Sequence, residues 1–134
     1  MEPWQRSWTV NKYWVMARSQ SIYEKIKKIA TSGQSENEKE RTYRSLLAEA
    51  TQMTPTIVTL RNTYQHVWGY YKKKATMAEK EFYLEELAQL SLKKDRLGPF
   101  LAHLAVKYQV QYLLRSRLIT DYLTIVDSST NYFN

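Results

Sequence analysis

The sequence predicts an all-α fold: a single compact, bundle-like domain of about five helices, ending in a long C-terminal helix. Three observations carry this. Only three glycines and three prolines interrupt 134 residues, too few for the many tight turns of a β-sandwich. Apolar residues recur three and four apart along most of the chain. Helix-start signals stand just ahead of those periodic runs. The composition, 43% hydrophobic and 25% charged, suits a globular chain able to bury one core. Residues 1–134 therefore read as one domain, with a frayed tail over 127–134.

The first helix is expected over Ser7–Thr31, with Trp8, Val15, Ile22, Ile26 and Ile29 as its apolar stripe and Gly33 just past its end. Ser35 and Glu38 form a capping-box pattern that opens the second helix near Glu36, with Tyr43, Leu46, Leu47, Ala50 and Met53 on its buried face. Thr54 and Pro55 read as N-cap and first residue of the third helix, which continues through Ile57, Leu60, Tyr64, Trp68 and Tyr71. Thr76 and Glu79 repeat the capping-box pattern for the fourth, carrying Phe82, Leu84, Leu87 and Leu90. Asp95 caps the final segment, and Gly98-Pro99 kinks or restarts it before a long fifth helix. Connections of a few residues favour antiparallel neighbours.

Charge narrows the partner class. Net charge is +7, from 20 Lys and Arg against 13 acids, which favours a polyanionic partner such as nucleic acid. Eight of the 13 acids fall on the second and fourth predicted helices. No acid occurs between Ala50 and Ala78, or between Arg96 and Thr120. If the first, third and fifth helices share a side of the bundle, that side is positive. The chain has no cysteine, which excludes disulfides, thiolate metal sites and cysteine-held iron–sulfur clusters and fits a reducing cytoplasm. No apolar run approaches the roughly 20 residues of a membrane helix, and the N-terminus lacks a signal-peptide layout.

The stretch "NTYQHVWGYYKKK", from Asn62 to Lys74, combines a histidine, a glycine, four large aromatics and three lysines without one acid. Asn62, His66, Gly69 and Lys73 lie at i, i+4, i+7 and i+11, one stripe of a helix. The apolar residues of the same helix lie on another stripe. Gly69 has two readings: it admits a ligand close to the backbone, or it lets a neighbouring helix pack tightly with His66 inside.

These residues also carry a resemblance. "LRNTYQHVWGYYKK" is similar to the motif of the YbgA-like domain family, approximately Asn-x-x-x-His-x-x-Gly-Tyr-aromatic-Lys, matched by Asn62, His66, Gly69, Tyr70, Tyr71 and Lys72. In "NKYWVMARS", Lys12, Met16 and Ala17 match the family's opening helix, with Asn11 where a histidine is usual. "EKEFYLEEL", "GPFLAHLAVKY" and "YLLRSRLI" follow in the family's order, so the resemblance spans about residues 8–119. The family's C-terminal Gln and Pro-His positions are not recognisable. The resemblance implies an all-α domain, often fused to an iron–sulfur desulfidase domain acting on thiolated uracil, in which the YbgA-like part recruits RNA. Lacking cysteine, this chain would work in trans with a separate desulfidase-type protein.

The expected function is a cytoplasmic, non-catalytic RNA-binding module with tRNA as the favoured ligand, needing no metal or cofactor. The residues expected to touch RNA are Lys12, Arg18, Arg61, Asn62, His66, Tyr70, Lys72, Lys73, Lys107 and Arg115. Cations would meet phosphates, and exposed aromatics would stack on unpaired bases. Two alternatives stand beside this. One is a protein-docking module for a desulfidase-type or other partner, in which Trp4, Trp8, Tyr13 and Trp14 form an apolar patch, although the same residues equally suit the core. The other is a His66-dependent enzyme acting on a nucleotide or RNA, since imidazole suits proton transfer near neutral pH.

Overall fold

The computed structural model describes residues 3–125; the tail expected to fray over 127–134 lies outside them. Helices account for nearly all of the regular structure: α1 (Pro3–Arg18), α2 (Gln20–Ile29), α3 (Glu36–Thr51), α4 (Ile57–Trp68), α5 (Met77–Gln89), α6 (Leu97–Lys107), α7 (Gln111–Leu114) and α8 (Arg117–Ile125). Among the described residues there is no strand. The all-α reading holds, and eight helices among the described residues replace the expected five.

All three extra helices come from breaks that neither glycine nor proline announces. The expected first helix is split at Ser19, whose backbone is extended (φ −160°, ψ 114°) and whose Oγ accepts a 3.1 Å hydrogen bond from the Ile22 amide. A serine in mid-stripe therefore caps a new helix instead of continuing the old one. The chain starts helical at Pro3, and α2 ends at Ile29, so Gly33 caps nothing and has no positive φ. The expected long C-terminal helix is broken at Gln109, which takes the left-handed conformation (φ 51°). The Val110 amide returns to the Ala105 carbonyl at 3.1 Å and the Gln109 amide to that of Val106 at 3.2 Å. That pairing is a Schellman termination with glutamine in glycine's usual place. A second break at Ser116 separates α7 from α8.

The local start signals fare better. The Ser35 hydroxyl accepts from the Glu38 amide at 3.2 Å, and the Thr76–Glu79 box is reciprocal, at 3.1 and 2.9 Å. Asp95 Oδ1 accepts from the Gly98 amide at 2.9 Å, so Pro99 falls in the first turn of α6, where a missing donor costs nothing. The third expected helix starts later than its Thr-Pro pair suggested. Thr56 is the N-cap of α4 and closes a box with Thr59, which leaves Pro55 in the preceding loop.

α1 is the central element. Tyr13, Trp14, Val15, Met16 and Ala17 are all buried, so this half of the helix has no solvent face, and it packs against α2, α3, α4 and α8. α6 is a second buried helix, against α4, α5, α7 and α8. Trp4 is buried too and Trp8 partly so, which makes the N-terminal aromatics core, the second of their two readings, and leaves no docking patch there. Met53 and Leu84, expected inside, are 41% and 63% exposed. Tyr43, Tyr64 and Tyr71 are enclosed because each hydroxyl finds a partner: Ser7 Oγ at 2.7 Å, the Asp95 carboxylate, and the Leu101 carbonyl at 2.8 Å.

Candidate nucleic-acid interface

α4 buries Leu60, Thr63, Tyr64, Val67 and Trp68 against α1 and α6. That choice of face turns Asn62 and His66 outward. They line a groove of about 410 Å³ with Val58 and Thr59 of α4 and Gln20 at the start of α2. The Ser19 break is what places Gln20 there. Asn62 Nδ2 donates to Gln20 Oε1 at 2.8 Å, and Gln20 Nε2 donates onward to Glu24 at 2.9 Å. His66 Nδ1 lies 2.9 Å from the Asn62 carbonyl oxygen. A carbonyl only accepts, so Nδ1 carries the hydrogen and, in neutral imidazole, Nε2 presents a lone pair to solvent. Asn62 Oδ1 is likewise unengaged among the described residues. The groove therefore offers acceptors, suited to hydroxyl and amine donors more than to phosphate oxygens.

Gly69 ends α4 in ordinary right-handed helical geometry (φ −54°, ψ −26°). A Cβ built there would meet only the carbonyl oxygen of its own His66, at 3.1 Å. No neighbouring helix lies against it, and His66 is exposed. The tight-packing reading of this glycine fails. The fold does not demand glycine at position 69, and the row Asn62, His66, Gly69 is a bare outer surface.

Beyond Gly69 the chain turns, and Tyr70, 38% exposed, reaches toward α1 and α7. Its hydroxyl lies 3.0 Å from that of Tyr13, and its ring lies nearly parallel to Tyr112 of α7, at 6.1 Å and 9°. Burial, and next the Tyr70 bond, push the Tyr13 phenol up in pKa, so it stays protonated. Lys12 Nζ stands 5.6 Å from the Tyr13 ring, and Arg115 caps α7 one turn beyond Tyr112. Three elements distant in sequence thus bring Tyr13, Tyr70 and Tyr112 into one aromatic patch, with Lys12 beside it. Tyr112 and Gln20 were not foreseen, because only the tertiary fold delivers them.

The other expected residues sit apart. Arg61, half-buried, follows Leu60 on α4, and Lys72 and Lys73 are exposed on the turn after Gly69. The Arg18 guanidinium is 4.1 Å from the Trp14 ring and donates to the Met53 carbonyl at 2.7 Å. Arg117 lies 3.7 Å from the same indole, and burial, then the Arg117 charge, lower the Arg18 pKa. Lys107 is committed to Glu79, with Nζ 2.5 Å from Oε2, while the Tyr108 hydroxyl donates to Oε1 at 2.5 Å. Burial alone would push the Glu79 carboxyl up. The bonds from Lys107, Tyr108 and the Thr76 amide outweigh it and hold that carboxyl below the usual range. Lys107 is therefore a compensated cation that ties α5 to α6.

Among the described residues no group of three or more His, Cys, Asp or Glu is placed to hold a metal ion, and no helix is long and apolar enough to cross a membrane. A family model described as "Protein of unknown function (DUF1722)" matches residues 12–122, and YbgA-like proteins carry this domain. No curated protein and no solved structure matches.

Proposed function

We propose that this chain, which belongs to the DUF1722 family of proteins of unknown function, is a non-catalytic RNA-binding module with folded RNA, tRNA above all, as its ligand. The observation that carries this reading is the outer row of α4. A glycine that packing does not require stands beside a histidine and an asparagine whose unengaged acceptors face solvent. Such acceptors suit the ribose 2′-hydroxyl, the group that tells RNA from DNA. Tyr70 and Tyr112 supply an aromatic surface for an unpaired base, and Lys12, Lys72, Lys73 and Arg115 supply phosphate contacts. Arg18 and Lys107 contribute little on this reading, because their donors are already used. The module works in the cytoplasm as an accessory to tRNA thiouridine or desulfidase-type modification, in trans with a separate iron–sulfur desulfidase-type protein.

The test is binding of purified protein to labelled bulk tRNA across a salt series, beside a DNA duplex of equal length. His66→Ala and the triple Lys72, Lys73, Lys74→Ala run alongside. The expected result is tighter binding of tRNA, an affinity that falls with salt, a flatter salt slope for the triple variant, and a smaller RNA-over-DNA preference for His66→Ala. Binding to DNA as tight as to tRNA, in a salt series where His66→Ala changes nothing, overturns the reading.

A further inference from the structure

α5 carries an apolar ridge that the core does not use. Met77 and Leu84, seven residues apart and so on one face, are 71% and 63% exposed, with Lys80 between them. Beside the ridge a pocket of about 210 Å³ opens toward the end of α4, lined by Trp68, Lys72, Lys80, Tyr83 and Leu84. Its floor is rigid, since the Trp68 and Tyr83 rings stack at 4.2 Å and 6°. Neither Lys72 nor Lys80 has a carboxylate within 4.0 Å among the described residues. An apolar pocket with two uncompensated cations at its rim is an unsatisfied surface in both senses.

We propose that this pocket docks a partner protein through an acidic segment bearing one apolar anchor side chain. The anchor enters between Tyr83 and Leu84, over the edge of Trp68, and carboxylates beside it meet Lys72 and Lys80. Glu81, one turn from both Met77 and Leu84, borders the ridge on the side away from Tyr83, and Glu85 lies beyond it. The partner's acids therefore belong on the Lys72 side only, which fixes its orientation by charge. The aliphatic walls, Leu84 and the neighbouring Met77, favour a side chain over a nucleobase, which would need an open aromatic face. The surface is separate from the Tyr70–Tyr112 patch, because Trp68 packs toward α5 while Tyr70 packs toward α1. The proposal does not depend on the RNA reading.

The test uses the full chain and a synthetic peptide of alternating Asp and Glu around a Leu-Phe pair. Binding is followed by fluorescence anisotropy and by the indole and methyl resonances of Trp68 and Leu84. Saturable binding that moves those resonances is expected. Leu84→Glu and Lys80→Glu should each weaken it at least about tenfold while leaving the melting temperature unchanged, as their exposure requires. The proposal is overturned if the peptide does not bind, or if a peptide with serines in place of Leu-Phe binds equally well. It also falls if the shifts lie elsewhere, or if a single-stranded RNA moves the same resonances and displaces the peptide. That last outcome would assign the pocket to the nucleic-acid surface.

Discussion

Replacing Gly69 by alanine separates a structural glycine from a functional one. The backbone there is already helical (φ −54°, ψ −26°), and its amide donates to the Gln65 and His66 carbonyls at 3.3 and 3.2 Å. The new methyl would touch only the His66 carbonyl oxygen, at 3.1 Å. Narrowing the unfolded chain's freedom favours the variant by about 0.4–1 kcal/mol. The single close contact takes back part of this, leaving a net gain between about 0 and 1 kcal/mol, or a melting temperature raised by up to about 4 °C. At the same time the methyl holds an RNA backbone off the α4 surface, with an expected loss of about tenfold in tRNA affinity, or about 1.4 kcal/mol. Thermal melts and tRNA anisotropy titrations of the same preparation read both quantities. A Gly69→Ala protein that melts several degrees lower would refute the geometric reasoning. One that melts higher yet binds tRNA unchanged would remove this stripe from the interface.

Gly98→Ala should behave oppositely. Its Cβ would clash with the Tyr122 ring and lie 2.7 Å from the Tyr64 and Tyr122 hydroxyls, both held at Asp95, so a loss of about 1–3 kcal/mol is expected in urea unfolding. Gln109→Gly should stabilise by about 1 kcal/mol in the same assay, because a non-glycine residue pays that much for the left-handed conformation at the end of α6. The Glu79–Lys107 pair sets a pH dependence. The depressed Glu79 carboxyl stabilises the fold above its unfolded value of about 4.3, and that contribution is lost as pH falls through the lower folded value. Lys107, raised chiefly by its bond to Glu79, contributes fully below about pH 10.4, and its share is lost as pH rises through the higher folded value. Lys107→Met should therefore lower the urea midpoint near neutral pH, and the gap to the parent should narrow as Glu79 protonates. A gap that widens on acidification would contradict the assignment.

What was legible in the sequence was local. The Ser35 and Thr76 caps, the Asp95 cap and the buried stripe of α4 depend on residues three or four apart, and those survive folding. The breaks at Ser19 and Gln109 were illegible because neither residue is a breaker by type. Ser19 competes for a backbone amide only once the chain has turned, and Gln109 is forced left-handed by a termination that glycine would have advertised. Charge misled for the same reason. Lys107 looked unpaired because its acid stands 28 positions away, across the contact between α5 and α6. Burial on α5 followed a second error of this kind. Glu79 and Glu86 went inside and Leu84 stayed out, because buried carboxylates with cationic partners can stitch helices together where an apolar stripe was expected.

The turn after α4 shows how one short segment can present two chemistries. Tyr71 is fully buried, and its hydroxyl bonds to the Leu101 carbonyl at 2.8 Å, which fastens the turn to α6. With that residue fixed, its neighbours diverge. Tyr70 goes to the tyrosine patch between α1 and α7, and Lys72 goes to the pocket beside α5. The lysine run is therefore not one positive patch. It follows a buried anchor, and its first member stands at the rim of an apolar pocket, where a point charge acts as an orienting contact. An RNA bound along the α4 row and a protein segment in the α5 pocket would meet at this turn, where both call on Lys72 but on no common aromatic side chain. If both proposals hold, the two ligands would lie on opposite flanks of one buried tyrosine, and Tyr71→Ala would disturb both surfaces at once.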